Sequence, residues 1–149
     1  RETGGTTLLA AHRKGVEGLP LDRLADQAIV VDGLRDDGIY TGARDAFVSD
    51  RPTLAVLHLI EIDEAGHAFG PRSAEVLRAA AETDRRLADL LALLADSGYS
   101  VLVTADHGMH EIAQNEKGER GTHDGSVEDD LWVPLVWASA EQLEELVDS

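Results

Sequence analysis

The chain has 149 residues, no cysteine, 43% hydrophobic and 28% charged residues, which fits one domain and excludes a disulfide framework, a cysteine zinc site and a thiol nucleophile. Asp and Glu total 29 against 13 Lys and Arg, a formal charge of −16, so the surface repels polyanions and argues against nucleic-acid binding through counterion release. No apolar run approaches the ~20 residues that span a bilayer, and no signal-peptide h-region is visible.

Residues 1–27 are Gly-rich and weakly patterned, and predict an irregular segment with at most a short helix around Leu8–Arg13. Ala28–Asp32 is a short apolar run closed by Gly33, the pattern of a buried strand. Ile39–Ser49 has weak helical periodicity and carries Gly42, and Asp50-Arg51-Pro52 breaks the chain after it. Thr53–Ile62 is nearly continuous apolar sequence, as a strand covered on both faces requires. Ser73–Ala95 predicts a long helix, with Ser73 as N-cap, leucines at helical spacing and Gly98 as the stop. Ser100–Ala105 reads as another buried strand, and Glu111–Asp130 as a long polar loop. Val133–Ala138 reads as a strand that Pro134 places at an edge or a start, and Glu141–Val147 as a short acidic helix. The expected fold class is α/β, a mostly parallel sheet flanked by helices, with an α/β core over residues 28–138 and a C-terminal helix over residues 139–149. In such sheets ligands gather beyond the carboxyl ends of the strands.

Three polar clusters follow those predicted ends. Asp63-Glu64-Ala65-Gly66-His67 puts a carboxylate and an imidazole four residues apart, so one turn brings both to one face. A carboxylate and a neutral imidazole suit Zn²⁺, Mn²⁺ or Fe; the plainer alternative is a helix-entry loop with an acidic cap. Asp106-His107-Gly108-Met109 leaves the next strand, and Gly108 permits a turn that would let Asp106 and His107 converge. The alternative there is a polar cap on the following element. Gly121-Thr122-His123-Asp124-Gly125 lies in the long loop, where a single His is ordinarily solvated. The combination of three such clusters carries the chemistry.

The segments IEIDEAGHAFGP, VLVTADHGM and GTHDGS, in that order, resemble the metal motifs of the alkaline phosphatase superfamily, and most closely its type I phosphodiesterase/nucleotide pyrophosphatase branch. The resemblance covers roughly Pro52 to Trp137. It implies that Asp63, His67 and His123 hold one divalent ion and that Asp106 and His107 hold part of the site for a second. It further implies an alkaline-phosphatase-like fold, attack of a Thr or Ser hydroxyl on phosphorus, and hydrolysis of the resulting phospho-enzyme, with the two ions ~3.5–4 Å apart. Zn²⁺ is the expected metal, with Mn²⁺ or Fe as alternatives. Asp124 stands where the branch has Gly. The nucleophile and a further Asp of the second site have no counterpart here, because the chain between Asp32 and Thr53 is too short for the elements that bear them. The fold is therefore expected to be incomplete in this chain, a single domain over residues 1–149 forming the C-terminal portion of a larger catalytic domain; a first residue of Arg rather than Met agrees.

Other residues have plainer readings. Glu61 could support a ligand His or make an ordinary hydrogen bond; His58 reads as a core His, His110 as an exposed loop residue, Trp132 and Trp137 as core, and His12 has no context. Lys117 and Arg120 are close enough in sequence to His123 to approach a substrate anion, or are simply solvated. The first functional reading is a metal-dependent phosphoric ester hydrolase of phosphodiesterase or nucleotide pyrophosphatase type, acting on a small phosphate ester. A second keeps the superfamily but changes the reaction to that of a sulfatase, phosphonate hydrolase or phosphomutase. A third is a non-catalytic domain that binds metal or a partner. An incomplete catalytic domain also predicts an exposed apolar sheet edge and self-association through it. Leaving group and compartment stay open.

Overall fold

A computed structural model describes residues 4–147, and of Asp22 the backbone alone. The chain divides into two compact units, residues 1–61 and 62–149.

The first unit is built on a parallel sheet of three strands in the order β2-β1-β3, from β1 (Thr7–His12), β2 (Gln27–Val31) and β3 (Leu54–His58). Two four-residue helices, α1 (Arg13–Val16) and α2 (Leu21–Leu24), connect β1 to β2, and α3 (Asp37–Ser49) crosses from β2 to β3. The central strand lies in the segment that its sequence marks as irregular or helical. Ala10, Ala11 and the leucines are good helix formers, but between two hydrogen-bonded neighbours these small side chains fill a fully buried row: Leu8, Ala10, Ala11 and His12 are all buried. Tertiary packing overrides propensity here.

The poorly periodic segment 39–49 is helical for a similar reason. Ile39, Ala43, Ala46 and Phe47 form the buried stripe of α3. Its glycines lie where the helix meets β2: a Cβ on Gly42 would come within 2.9 Å of the Ile29 side chain, and one on Gly38 within 3.0 Å of Val31. Gly42 weakens the helical pattern in the sequence because it permits close approach of helix and strand.

At the head of α3, His12 and Asp36 are both fully buried. The ring donates toward Gly33 O from Nδ1 at 3.1 Å, and Nε2 lies 2.9 Å from Asp36 Oδ1. The same carboxylate accepts the amides of Ile60 at 3.0 Å and Glu61 at 3.2 Å. Asp36 thereby joins the ends of β1 and β3. Glu61 in turn pairs with Arg35 at 2.9 Å and accepts the Asp36 amide, so it makes ordinary hydrogen bonds and supports no ligand His through them.

The apolar run that predicts a fully covered strand over residues 53–62 gives a shorter β3, and Leu54 and Val56 are more than half exposed. From Glu61 the chain is already helical, in α4 (Glu61–Phe69), so Asp63 sits in a first helical turn instead of leaving a strand.

The second unit holds most of α4, then α5 (Ala74–Asp96), β4 (Val101–Thr104), β5 (His110–Glu111), β6 (Gly121–Thr122), β7 (Leu135–Ala138) and α6 (Ala140–Val147). Ser73 caps α5 as expected, its hydroxyl accepting the Val76 amide at 3.2 Å. Leu90, Leu94 and Ala95 form the buried stripe of α5, which packs against α6, where Leu143 is buried. β4 and β7 pair antiparallel, Val101 opposite Ala138, so the expectation of parallel strands holds for the first unit and not for this ladder. Leu102, Leu135, Val136 and Trp137 on it are exposed, as is Trp132, against their reading as core residues. The long loop is partly ordered: β5 and β6 form a short antiparallel ladder, followed by a 3₁₀ turn over Glu128–Asp130. Among the described residues no helix is long and apolar enough to cross a membrane.

Candidate metal centre

Helix α4 presents Asp63 and His67 at i and i+4, on one face. The loop after β6 brings His123 to the same place. The Nε2 atoms of His67 and His123 are 3.1 Å apart, and each lies 3.4 Å from Asp63 Oδ1. The three donors make a nearly equilateral triangle. Ligands held tetrahedrally at ~2.0–2.1 Å from a Zn²⁺ ion stand ~3.3 Å from one another, so the donor set matches in spacing as well as in type.

Two further observations bear on the fit. Asp63 Oδ1 is buried and has no hydrogen-bond partner, an expensive state for a carboxylate oxygen unless a cation answers it. His67 Nδ1 lies 2.9 Å from Gly121 O. The carbonyl can only accept, so Nδ1 carries a proton, and Nε2 is the ring nitrogen that faces Asp63 and His123. The close approach that allows this depends on glycine: a Cβ on Gly121 would meet the Gly66 carbonyl and, at 2.9 Å, Met109 Sδ.

His107 lies against this triangle. Its ring stacks on His123 with centroids 3.5 Å apart and planes 15° from parallel. His107 Nδ1 donates to Gly108 O at 2.9 Å, which again leaves Nε2 as the free donor atom. Asp106 Oδ1 is 3.5 Å from that Nε2, on a side chain that is 65% exposed. Of the five residues singled out in the sequence, Asp63, His67 and His123 converge, His107 is stacked beside them, and Asp106 stands at the solvent side of His107. Arg120 hydrogen-bonds Gln114 at 3.3 Å, and its amide donates to His67 O at 2.7 Å.

The residue that sequence reasoning missed is His110. It is not an exposed loop residue: Nδ1 is 2.8 Å from Oδ1 of Asp130, whose side chain is 98% buried. His110, Asp124 and Asp130 form a second His/Asp group in the described residues. Here the ring proton already occupies the space between the donors. No sequence signal pairs two residues 20 apart across a polar loop.

The hydrogen bond that the His110 ring donates to Asp130 holds the imidazole above its ordinary pKa of 6.5, against the opposing effect of burial, with Asp124 and Asp129 adding to it. Burial pushes Asp130 up, but the His110 hydrogen bond and the Gly125 amide outweigh it and leave the carboxyl below 3.8. The histidine contribution to stability is complete below pH 6.5 and is lost as pH rises through its raised value. The aspartate contribution is complete above 3.8 and is lost as pH falls through its lowered value. The pair therefore stabilises most between those limits. In urea denaturation, His110→Ala should cost more stability at about pH 5.5 than at about pH 9; equal costs would mean that the pair carries no charge.

Comparison with known proteins places these features in a family. Residues 11–140 match type I phosphodiesterase / nucleotide pyrophosphatase. A venom phosphodiesterase of Macrovipera lebetinus is 35% identical over 71 residues, 45% of this chain and 8% of that protein. Ectonucleotide pyrophosphatase/phosphodiesterase family member 1 of Mus musculus is 36% identical over 66 residues, 42% of the chain and 7% of that protein. The matched stretch thus spans less than a tenth of the length of either relative. In structure, murine ectonucleotide pyrophosphatase/phosphodiesterase 5 superposes with a TM-score of 0.60 and 22% identity over 76% of this chain and 32% of its own; an inactive form of that protein has been seen in complex with AMP. The likeness confirms the α/β architecture over part of that fold. With most of its length covered by the family match, the chain belongs to the type I phosphodiesterase / nucleotide pyrophosphatase family.

Proposed function

We propose that this chain is the metal-binding portion of a phosphoric ester hydrolase of phosphodiesterase or nucleotide pyrophosphatase type, with Asp63, His67 and His123 holding one divalent ion and Asp106 and His107 contributing to a second. The observation that carries the reading is the buried Asp63 Oδ1, which makes no hydrogen bond and lies 3.4 Å from both imidazole nitrogens. Zn²⁺ fits the mixed nitrogen and oxygen set, and Mn²⁺ or Fe are compatible with it. A divalent ion bound there supplies Lewis-acid polarisation of a phosphoryl group.

The residues of this chain supply the rest. The i, i+4 pair on α4 fixes two donors on a rigid element, and Gly121 O orients the His67 ring. His107 stacked on His123 limits rotation of both rings. Asp106 and Asp63 bring negative charge that a cation must balance before an anionic substrate can approach so acidic a protein. The attacking Thr or Ser belongs, in this reading, to sequence outside these 149 residues. The substrate class is a small phosphate ester, for which the murine relative seen with AMP gives a nucleotide precedent.

The test uses the longer polypeptide that contains this chain and a chromogenic phosphodiester. Hydrolysis should be abolished by chelation, restored by Zn²⁺ or Mn²⁺, and absent from the Asp63→Ala form. Hydrolysis that survives chelation would overturn the reading; preference for a sulfate ester would move it to the sulfatase alternative.

The exposed apolar side chains of β4 and β7 support self-association along that ladder. In sedimentation velocity, Leu135→Lys should shift the chain toward monomer; an unchanged monomer in both forms would refute the association.

A further inference from the structure

We propose that Asp130, acting through His110, is a positioning residue for the candidate metal centre: it sets the His107–His123 stack by tying the Asp-His-Gly-Met segment to the loop that carries His123. This inference rests on the reading of Asp63, His67 and His123 as a ligand set.

Asp130 is reached from both sides. Its Oδ1 takes the His110 ring proton at 2.8 Å, and its backbone carbonyl takes the Gly108 amide at 2.8 Å. Both donors flank Met109, in the segment that begins with Asp106 and His107. Its Oδ2 takes the Gly125 amide at 3.0 Å, two residues beyond His123. One side chain that is 2% exposed thus holds the two backbone stretches that bear the stacked rings. The approach is close enough to require glycine. A Cβ on Gly108 would collide with the Asp129 carbonyl and lie 2.9 Å from the Trp132 carbonyl. Buried in this way, the carboxylate is held by a donor on each oxygen, and the backbone carbonyl by a third, which suits a group that orients others and touches no substrate itself.

His110 supplies the donor that Asp130 needs. Asn has its side-chain nitrogen at about the place of the imidazole Nδ1, so His110→Asn can keep the hydrogen bond while His110→Ala cannot. This separates a positioning role from a requirement for bulk or for an imidazole as such.

The experiment is two-armed and uses the full 149-residue chain. Ring-to-ring NOEs between His107 and His123 are recorded without metal, and Mn²⁺ affinity is measured by calorimetry, for the wild type, His110→Ala, His110→Asn and Asp130→Ala. Loss of the NOEs and a drop in affinity of about tenfold are expected for His110→Ala and Asp130→Ala, with both readouts restored in His110→Asn. NOEs that persist in His110→Ala, or that vanish equally in His110→Asn, would overturn the proposal. Should Asp130→Ala not fold, the two His110 variants decide. If the wild-type chain binds no Mn²⁺, the ligand-set reading fails, whereas the NOE arm still reports whether Asp130 and His110 set the stack.

Discussion

Asp63→Ala should lower the Mn²⁺ or Zn²⁺ affinity of the chain by roughly 100-fold or more while leaving the metal-free fold as stable as before. Loss of an outer partner of a metal ligand already costs ~10–100-fold, so loss of a donor atom itself must cost at least as much. The stability half of the expectation follows from the site. Asp63 Oδ1 is buried with no hydrogen bond, so its removal breaks none and loses only the 3.4 Å approaches of the two imidazoles. The residue occupies a helical turn that Ala extends without strain. Calorimetric titration and urea denaturation of the same preparation separate the two effects. A large loss of stability with unchanged metal affinity would make Asp63 a structural residue. His123→Ala is the companion variant, and should weaken binding comparably.

The second large effect is expected in the first unit, at a residue that is no proposed ligand. Asp36→Ala should destabilise the first unit by about 3–5 kcal/mol, since each buried donor left without its acceptor costs ~1–3 kcal/mol. Three donors lose their acceptor at once: the His12 ring, the Ile60 amide and the Glu61 amide. All are held in a region where His12 and Asp36 have no solvent contact, so water cannot take over. Hydrogen exchange of the β1, β2 and β3 amides measures the loss unit by unit, which a global melting curve would not. His12→Ala should cost less, because the Ile60 and Glu61 amides keep their acceptor, and the double variant little more than Asp36→Ala alone, because the contact between the two side chains is already lost in either single. Independent, additive losses would show that His12 and Asp36 are not a pair.

The contrast between these two carboxylates is instructive. Asp36 accepts hydrogen bonds on both oxygens from groups of the protein, whereas one buried oxygen of Asp63 accepts none. Both are aspartates near the start of a helix, and local sequence does not tell them apart. What distinguishes them is the identity of the neighbours: His12, 24 positions from Asp36, and His123, 60 positions from Asp63.

Other parts of the fold divide along the same line. The long helix α5 was legible because apolar residues recur at helical spacing from Val76 to Leu94 and Ser73 and Gly98 mark its ends; such signals are local and redundant. The i, i+4 relation of Asp63 and His67 was legible for the same reason. Strand β1 was not, since Leu-Leu-Ala-Ala carries no period-2 pattern when both faces are covered and small side chains are demanded by close packing. Strands β3, β4 and β7 were recognised as strands, but their apolar composition overstated their burial, and nothing in β4 or β7 alone indicates an antiparallel partner.

By itself, the sequence determined the α/β class, the order of most elements, the family and the three Asp/His clusters, because periodicity, breakers and short motifs are properties of neighbouring residues. Only the tertiary structure decided that His123 meets His67 and Asp63, that His107 lies on His123, and that His12 and His110 are each held by a buried aspartate. Those pairings join distant stretches of chain, and they form because a buried donor or acceptor must find a partner wherever the packed backbone brings one within reach.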